Sequence, residues 1–267
     1  MIHSDPIRDR HRVSWRNGVL RHDLRTVATE TAVALSYNGS THAVMMATPL
    51  DLTDFAIGFS LNEGLIADMG DIRSIELQQD AKGIDLQIWL VEERSELVRS
   101  RRRAMVGPAG CGLCGVESLA AAAPTLPNVC VDGRVAAEDL MTAMDELGSL
   151  QILNQRTRAV HAAAWWQPIG GLRAIREDVG RHNALDKLAG AFVRQKNTTA
   201  FGVLLLTSRI SVELVQKAAM MGAPVIAAVS APTSLAIEAA QEAGITMVAT
   251  ARADGFDVFC NPQRIVF

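Results

Sequence analysis

Residues 201–249 read FGVLLLTSRISVELVQKAAMMGAPVIAAVSAPTSLAIEAAQEAGITMVA, and this stretch decides the fold class. Three apolar runs, 201–206, 225–229 and 245–249, carry no polar alternation. A strand wetted on one face would alternate, so these runs predict strands buried on both faces. Between them lie two segments of about eleven residues, 211–221 and 233–244, with helical spacing. Gly222 and Gly244 close them, with Pro224 beyond the first. Strands alternating with helices in this way predict a parallel sheet covered on both faces. Working outward, Leu140, Met144 and Leu147 stand at i, i+4 and i+7 and mark a further helix. Residues 159–166 and 172–175 are strand-like, and Leu185, Leu188, Ala189 and Phe192 mark the helix after them. Residues 136–267 are therefore expected to form a three-layer α/β domain.

Residues 1–135 have another rhythm and are expected to form a smaller, β-rich N-terminal domain, α+β in class for the chain as a whole. Residues 1–24 are charged and unpatterned, an arm or a peripheral strand. Residues 26–46 read as two strands around Asn38-Gly39, the dipeptide that supplies the positive φ angles of a tight hairpin. A helix follows Pro49, capped by Thr53 and ending near Gly64. Ile84, Leu86, Ile88 and Leu90 alternate as a half-buried strand, with Ile75 and Leu77 on its partner. Residues 92–103 are charge-rich and end in RRR. They lead into a loop at 104–118, GPAG then CGLCG, which is too rich in helix breakers for regular structure. An alanine-rich helix over 116–123, stopped by Pro124, comes next.

Composition narrows the function classes. The 267 residues hold 26 Lys+Arg against 29 Asp+Glu, a net charge of −3, which excludes a generally basic nucleic-acid binder. No apolar run reaches the ~18 residues of a membrane span, and the start MIHSDPIRDRHRV has no secretory pattern. Four cysteines in a chain of this length are no disulfide framework, so a reducing cytoplasm is the expected compartment. Only four of the basic residues are Lys, a bias that a GC-rich genome explains without any function.

Two clusters could carry chemistry. Cys111 and Cys114 stand three residues apart, whereas Cys130 and Cys260 are isolated. The pair could be half of a zinc site; no second C-x-x-C is present, so Cys130, Cys260 or any of the six histidines would have to complete it. It could be a redox pair, although such a pair normally opens a helix after a strand. A nucleobase deaminase would need H-x-E before P-C-x-x-C, and no histidine here has Glu two residues on. The fourth option is a persulfide carrier. Glycines keep the loop exposed, and residues 101–103 with the following helix N-terminus favour thiolate over thiol. The second cluster, EDVGRHN at 177–183, sits at a strand-to-helix junction, where ligands of parallel sheets gather. Thr207-Ser208-Arg209 and Ser230-Ala231-Pro232-Thr233 occupy similar junctions; their amides and hydroxyls suit a phosphate or plain helix capping equally.

Five ordered stretches resemble one family, the formate dehydrogenase accessory sulfur carriers or FdhD family. They are TPLDLTDFAIGF at 48–59 with Glu63-Gly64, CGLCG at 111–115, EDVGRHNALDK at 177–187, RISVE at 209–213 with Lys217-Ala218, and SAPTSLA at 230–236. The resemblance implies a cytidine-deaminase-like fold for 136–267 without deaminase activity. It implies a cytoplasmic sulfurtransferase that accepts sulfur from a cysteine desulfurase as a cysteine persulfide. The sulfur would pass to the molybdenum (or tungsten) bis-molybdopterin guanine dinucleotide cofactor of formate dehydrogenase, a client cofactor, with no dedicated metal ion.

By the same resemblance Cys111 carries the persulfide and Cys114 assists or resolves. The family's cofactor-binding stretch falls on Thr250, Ala251, Arg252, Ala253, Asp254 and Gly255. Arg209, Arg252, Ser230 and Thr233 would meet phosphate or guanine, and Asp178, Arg181 and His182 would wall the pocket. A homodimer stands as one option for the oligomeric state. The alternative function is a non-catalytic molybdenum-cofactor chaperone whose cysteine pair is structural or zinc-binding; a zinc hydrolase is more remote. Two departures bear on local shape. Many members carry Gly where Arg158 stands, and Gly where Ser208 stands. A glycine held at positive φ is not replaced without cost.

Overall fold

The computed structural model of the chain describes residues 5–96, 98, 125–195 and 201–267. The cysteine loop at 104–118, with Cys111 and Cys114, and the helix expected over 116–123 lie outside the described residues.

Residues 1–24, expected as an arm or a peripheral strand, contribute to a two-stranded antiparallel ribbon, β1 (Ile7–Arg16) and β2 (Val19–Ala28). Asn17 and Gly18 make its turn at φ 50° and 78°, the same chemistry that Asn38-Gly39 supplies further on. The alternation was hidden because one face is arginine and the other apolar, so neither strand reads as apolar against neutral polar.

The next sheet has the order β4-β3-β6-β5, from β3 (Thr31–Tyr37), β4 (Ser40–Ala47), β5 (Ile72–Gln79) and β6 (Ile84–Leu90). Val33, Leu35 and Tyr37 of β3 and Ile84, Leu86 and Ile88 of β6 alternate inward on the two central strands. Helix α1 (Leu52–Asn62) covers that face with Phe55 and Phe59. Its cap is Asp51, in the left-handed conformation and without a side-chain capping bond, so Thr53 lies inside the first turn and is not the cap.

The second sheet has six strands in the order β13-β12-β11-β10-β8-β9. They are β8 (His161–Gln167), β9 (Gly171–Asp178), β10 (Val203–Leu206), β11 (Val225–Ala228), β12 (Thr246–Arg252) and β13 (Gly255–Cys260). Parallel pairing in this sheet is confined to β10, β11 and β12. The parallel arrangement expected from 201–249 is present in these three strands, and antiparallel pairing with β8 and β13 on either side makes the whole sheet mixed. The β8–β9 and β12–β13 connections are tight turns, and a tight turn can join only antiparallel neighbours.

Burial on both faces is as expected. Leu204, Leu206, Ile226 and Ala228 point to a layer of α4 (Arg181–Arg194), α5 (Val212–Met220) and α6 (Ser234–Glu242). Their neighbours Val203, Leu205, Val225 and Ala227 point to α2 (Ala137–Leu150) on the other face. A short helix, α3 (Ile152–Thr157), follows α2, and a two-residue parallel pair joins β7 (Val135–Ala136) to β14 (Ile265–Val266).

Arg158 ends α3 at φ 58°, ψ 32°, the left-handed conformation that costs a side-chain-bearing residue roughly 1–2 kcal/mol. This is the position at which the resemblance implies Gly, and Arg158 takes the conformation that a glycine would adopt without that cost. Ser208 takes no positive φ, so the other departure leaves the backbone unstrained.

The two halves meet where α1 crosses α4, and the crossing is set by two glycines. A Cβ on Gly58 would lie 1.7 Å from the Asp186 carbonyl oxygen, and one on Gly190 would lie 1.9 Å from that of Asp54. The helices therefore touch backbone to backbone, closer than any side chain permits.

Candidate functional site at the carboxyl edge of the sheet

Strands β9, β10, β11 and β12 all run the same way, so their carboxyl ends form one edge. The loop after β10 is stitched to the loop after β11: Ile210 N donates to Ala231 O (3.3 Å) and Thr233 N to Ile210 O (3.0 Å). Thr250 N, at the end of β12, donates to Ser230 O (3.3 Å). Thr207 Oγ1 accepts from Ala162 N (2.8 Å), which ties the β10 end to the start of β8 beside His161. The edge thus brings together Arg209, Ser230, Thr250 and Arg252, with Arg181 and His182 entering from the α4 N-terminus after β9. These residues lie far apart in sequence and belong to four different strand ends.

Several of the expected residues have local structural duties there. Thr233 caps α6, its hydroxyl accepting from Ala236 N (3.4 Å). Thr250 adopts φ 52° at a bulge, with its hydroxyl hydrogen-bonded to Ala249 O and to the Asp257 carboxylate. Ala251 is buried, whereas Arg252, Ala253 and Asp254 are exposed at the β12–β13 turn, closed by Gly255 at φ 140°. Arg209 is exposed, and Arg181 is half-buried with its Nε lacking a hydrogen-bond partner among the described residues.

Asp178 lies beneath the edge rather than on it. It is fully buried, and its oxygens accept from Thr48 N (2.9 Å), Gly180 N (2.8 Å), Asn183 Nδ2 (3.0 Å) and Lys187 Nζ (2.6 Å). Lys187, also fully buried, donates to Thr48 O (2.8 Å). Burial pulls the Lys187 ammonium below its usual range, against the opposing pull of Asp178. Asp178 therefore positions the strand end and helix start and has no oxygen left to offer a ligand. Glu177 beside it accepts from Leu153 N (2.8 Å) and Asn154 N (2.9 Å), capping α3.

Two further buried carboxylates were not singled out from the sequence. Asp54 holds Arg176 (2.6 Å) and Arg194 (3.1 Å), and Asp186 holds Lys217 (2.6 Å) and Asn62 (2.7 Å). Their signal was available: charged residues at apolar positions of α1 and α4 are buried only when paired.

Lys217 and Arg181 also set the state of His182. Burial first, and then these two cations, push its imidazole from the usual 6.5 down to about 4. His161 is lowered in the same direction by burial and by Arg181. At neutral pH the edge thus carries fixed guanidinium charge and neutral imidazole. In the window between about 4 and 6.5 the unfolded chain takes up a proton on His182 and the folded chain does not, so stability falls as pH falls. Denaturant unfolding is expected to show lower stability at pH 5 than at pH 7, and His182→Gln to reduce that difference. An NMR titration that found His182 protonating near its usual value would overturn the assignment.

Among the described residues no group of three or more His, Cys, Asp and Glu could hold a metal ion. Cys260 is buried, its thiol donating to Ile245 O (3.4 Å), and burial pushes that thiol up; Cys130 is exposed.

A sequence model of the FdhD/NarQ family matches residues 28–266. The chain belongs to that family. Among its relatives, the sulfur carrier protein FdhD of Agrobacterium fabrum is 50% identical over 256 residues, 96% of this chain and 94% of the relative. The sulfur carrier protein FdhD of Brucella abortus is 45% identical over 260 residues, 97% of both chains. The crystal structure of a Desulfotalea psychrophila protein, assigned as a formate dehydrogenase accessory protein, superposes with a TM-score of 0.76. It is 25% identical, and the match covers 98% of this chain and 100% of that one. The family membership and mixed α/β class expected from the motifs are thus borne out. Among the described residues no helix is long and apolar enough to cross a membrane.

Proposed function

We propose that the chain is a sulfur carrier in the maturation of formate dehydrogenase, taking sulfur from a cysteine desulfurase and passing it to the enzyme's molybdenum cofactor. The observation that carries this reading is identity of 45–50% over nearly the whole chain to proteins named sulfur carrier protein FdhD. The Cys111 thiolate attacks the outer sulfur of the donor's persulfide. A new S–S bond forms to Cys111, the donor's S–S bond breaks, and the electron pair leaves with the donor thiolate. Delivery as sulfide requires two electrons. Attack of Cys114 on the inner sulfur of Cys111 supplies them, expelling the outer sulfur as sulfide and leaving a Cys111–Cys114 disulfide.

The cargo is the bis-molybdopterin guanine dinucleotide form of the cofactor, whose phosphates need fixed cations. Arg181, Arg209 and Arg252 at the carboxyl edge fit that need, and the buried Nε of Arg181 is a donor with no hydrogen-bond partner among the described residues. Ser230 and the 250–255 turn would flank the nucleotide. Neutral His182 adds a hydrogen-bonding wall without competing charge.

Mass spectrometry after incubation with a cysteine desulfurase and cysteine is expected to find a one-sulfur adduct on Cys111. Cys111→Ala is expected to lose the adduct and the ability to activate formate dehydrogenase. Stoichiometric zinc retained at Cys111 and Cys114, together with full activation by Cys111→Ala, would instead establish a cofactor chaperone.

A further inference from the structure

The β1–β2 ribbon has two unlike faces. Residues directly opposite in an antiparallel pair share a face, so the register Trp15↔Leu20, Val13↔His22 and His11↔Leu24 puts these six together. Val13, Trp15, Leu20 and Leu24 are 61, 71, 60 and 58% exposed. The opposite face pairs Arg8 with Val27, Arg10 with Arg25, Arg12 with Asp23, Ser14 with Arg21, and Arg16 with Val19. Arg12 is neutralised by Asp23 (2.6 Å) and Arg25 is tied to Thr157 O (3.1 Å), while Arg8, Arg10, Arg16 and Arg21 are exposed.

The charge is concentrated. Residues 7–28 hold six of the 26 Lys+Arg and two of the 29 Asp+Glu, which leaves 20 against 27 for the rest of the chain. The family model matches from residue 28, but the Agrobacterium and Brucella relatives align over 96% and 97% of the chain, so most of the ribbon lies within the part shared with them. Its base is fixed: Ile7 and Ala28 pack with Leu153, Val160 and Val179. Val160 adjoins His161 and Val179 adjoins the start of α4, so the ribbon rises from the same carboxyl edge that carries Arg181 and His182.

We infer that the ribbon is a docking arm for the protein that receives the cargo, gripping an acidic surface with Arg8, Arg10, Arg16 and Arg21 and an adjoining apolar patch with Trp15 and Leu20. This rests on the sulfur-carrier reading for the identity of the recipient, cofactor-free formate dehydrogenase. Trp and Arg are the side chains that most often dominate protein interfaces, and an acidic partner complements a ribbon of net charge +4 on a chain whose remainder is net −7. Rooting the arm beside the pocket holds the recipient where the cargo must leave. A nucleic acid would match the arginines but not the exposed apolar face or the acidic remainder of the chain.

The test compares the full chain with two variants, Arg8→Glu/Arg10→Glu/Arg16→Glu/Arg21→Glu and Trp15→Ser/Leu20→Ser, in titrations against purified cofactor-free formate dehydrogenase. Every substituted side chain is exposed, so unfolding midpoints are expected to be unchanged. Both variants are expected to weaken Kd by more than about tenfold, and added salt to weaken the unsubstituted chain more than the charge-reversed one. Loading of Cys111 from glutathione persulfide, a small donor that needs no docking, is expected to be equal in all three. Absence of loading in all three would sink the carrier reading, whereas the Kd comparison decides the docking arm by itself. The docking arm is wrong if Kd is unchanged in either variant or if the unsubstituted chain does not bind. It is equally wrong if binding to the cysteine desulfurase weakens as much, if sedimentation shows that the substitutions only break a dimer, or if duplex DNA displaces the enzyme.

Discussion

Gly58→Ala and Gly190→Ala are each expected to destabilise the protein by about 3 kcal/mol or more, at the upper end of what overpacking costs. Helix propensity alone gives the opposite sign, since Ala in a helix interior is favoured over Gly by about 1 kcal/mol. Sterics decide the outcome because the obstacle is backbone. The added methyl would sit 1.7 Å from the Asp186 carbonyl oxygen in one variant and 1.9 Å from that of Asp54 in the other. Neither carbonyl can rotate away without breaking its own helix, so α1 and α4 must separate. Separation would strip the two halves of the packing between them and disturb the Asp54 and Asp186 ion pairs nearby. Gly148→Ala in α2 is the control: a Cβ there meets nothing within 4 Å, and a gain of up to about 1 kcal/mol is expected. Denaturant unfolding measures all three, and midpoints for the Gly58 and Gly190 variants at or above that of the parent would refute the backbone-contact account.

Asp178→Ala is expected to cost about 3–5 kcal/mol, the range for removing one partner of a buried ion pair. Both members of the pair are fully buried, so the Lys187 ammonium would be left without a counter-charge. The same change leaves Thr48 N, Gly180 N and Asn183 Nδ2 without their acceptor. Lys187→Met removes the charge but leaves the Asp178 carboxylate buried with its amide donors, and a smaller loss is expected. The double variant Asp178→Leu/Lys187→Met is expected to be less destabilised than the two single losses added together, because neither uncompensated charge remains. Additive losses would show that the pair is not coupled. The functional consequence follows from connectivity. Thr48 belongs to the small-sheet half and Asp178 to the strand end that carries the edge, so loosening this pair displaces Arg181 and His182 together.

These two networks show where sequence reading reached and where it stopped. EDVGRHNALDK was recognised as a dense cluster at a strand-to-helix junction, and that is where it lies. Asp178, Arg181 and His182 are the residues expected to wall a pocket, but Asp178 turns inward with Lys187 to bolt the halves together and Glu177 caps α3, while Arg181 and His182 remain at the edge. Adjacent residues at a strand end point to opposite sides, and sequence alone does not say which side is solvent. The β1–β2 ribbon was legible in Asn17-Gly18, but its alternation of Arg with apolar residues did not resemble a core-facing strand. Gly58 and Gly190 carried no signal of each other, since a close approach is a property of two segments about 130 residues apart and not of either one.

Residues 201–249, read alone, determined a sheet buried on both faces and the presence of helices between its strands. They did so because unbroken apolar runs have no other stable placement in water. The motifs determined the family. Tertiary structure decided the rest: that the sheet is mixed, because short turns reverse the chain at both of its sides, and that four distant loops share one carboxyl edge. It also decided that Asp54, Asp178 and Asp186 pair internally while Arg181, Arg209 and Arg252 stay at the carboxyl edge. Burial makes an unpaired charge too costly to keep, and only the folded chain determines which charges are buried.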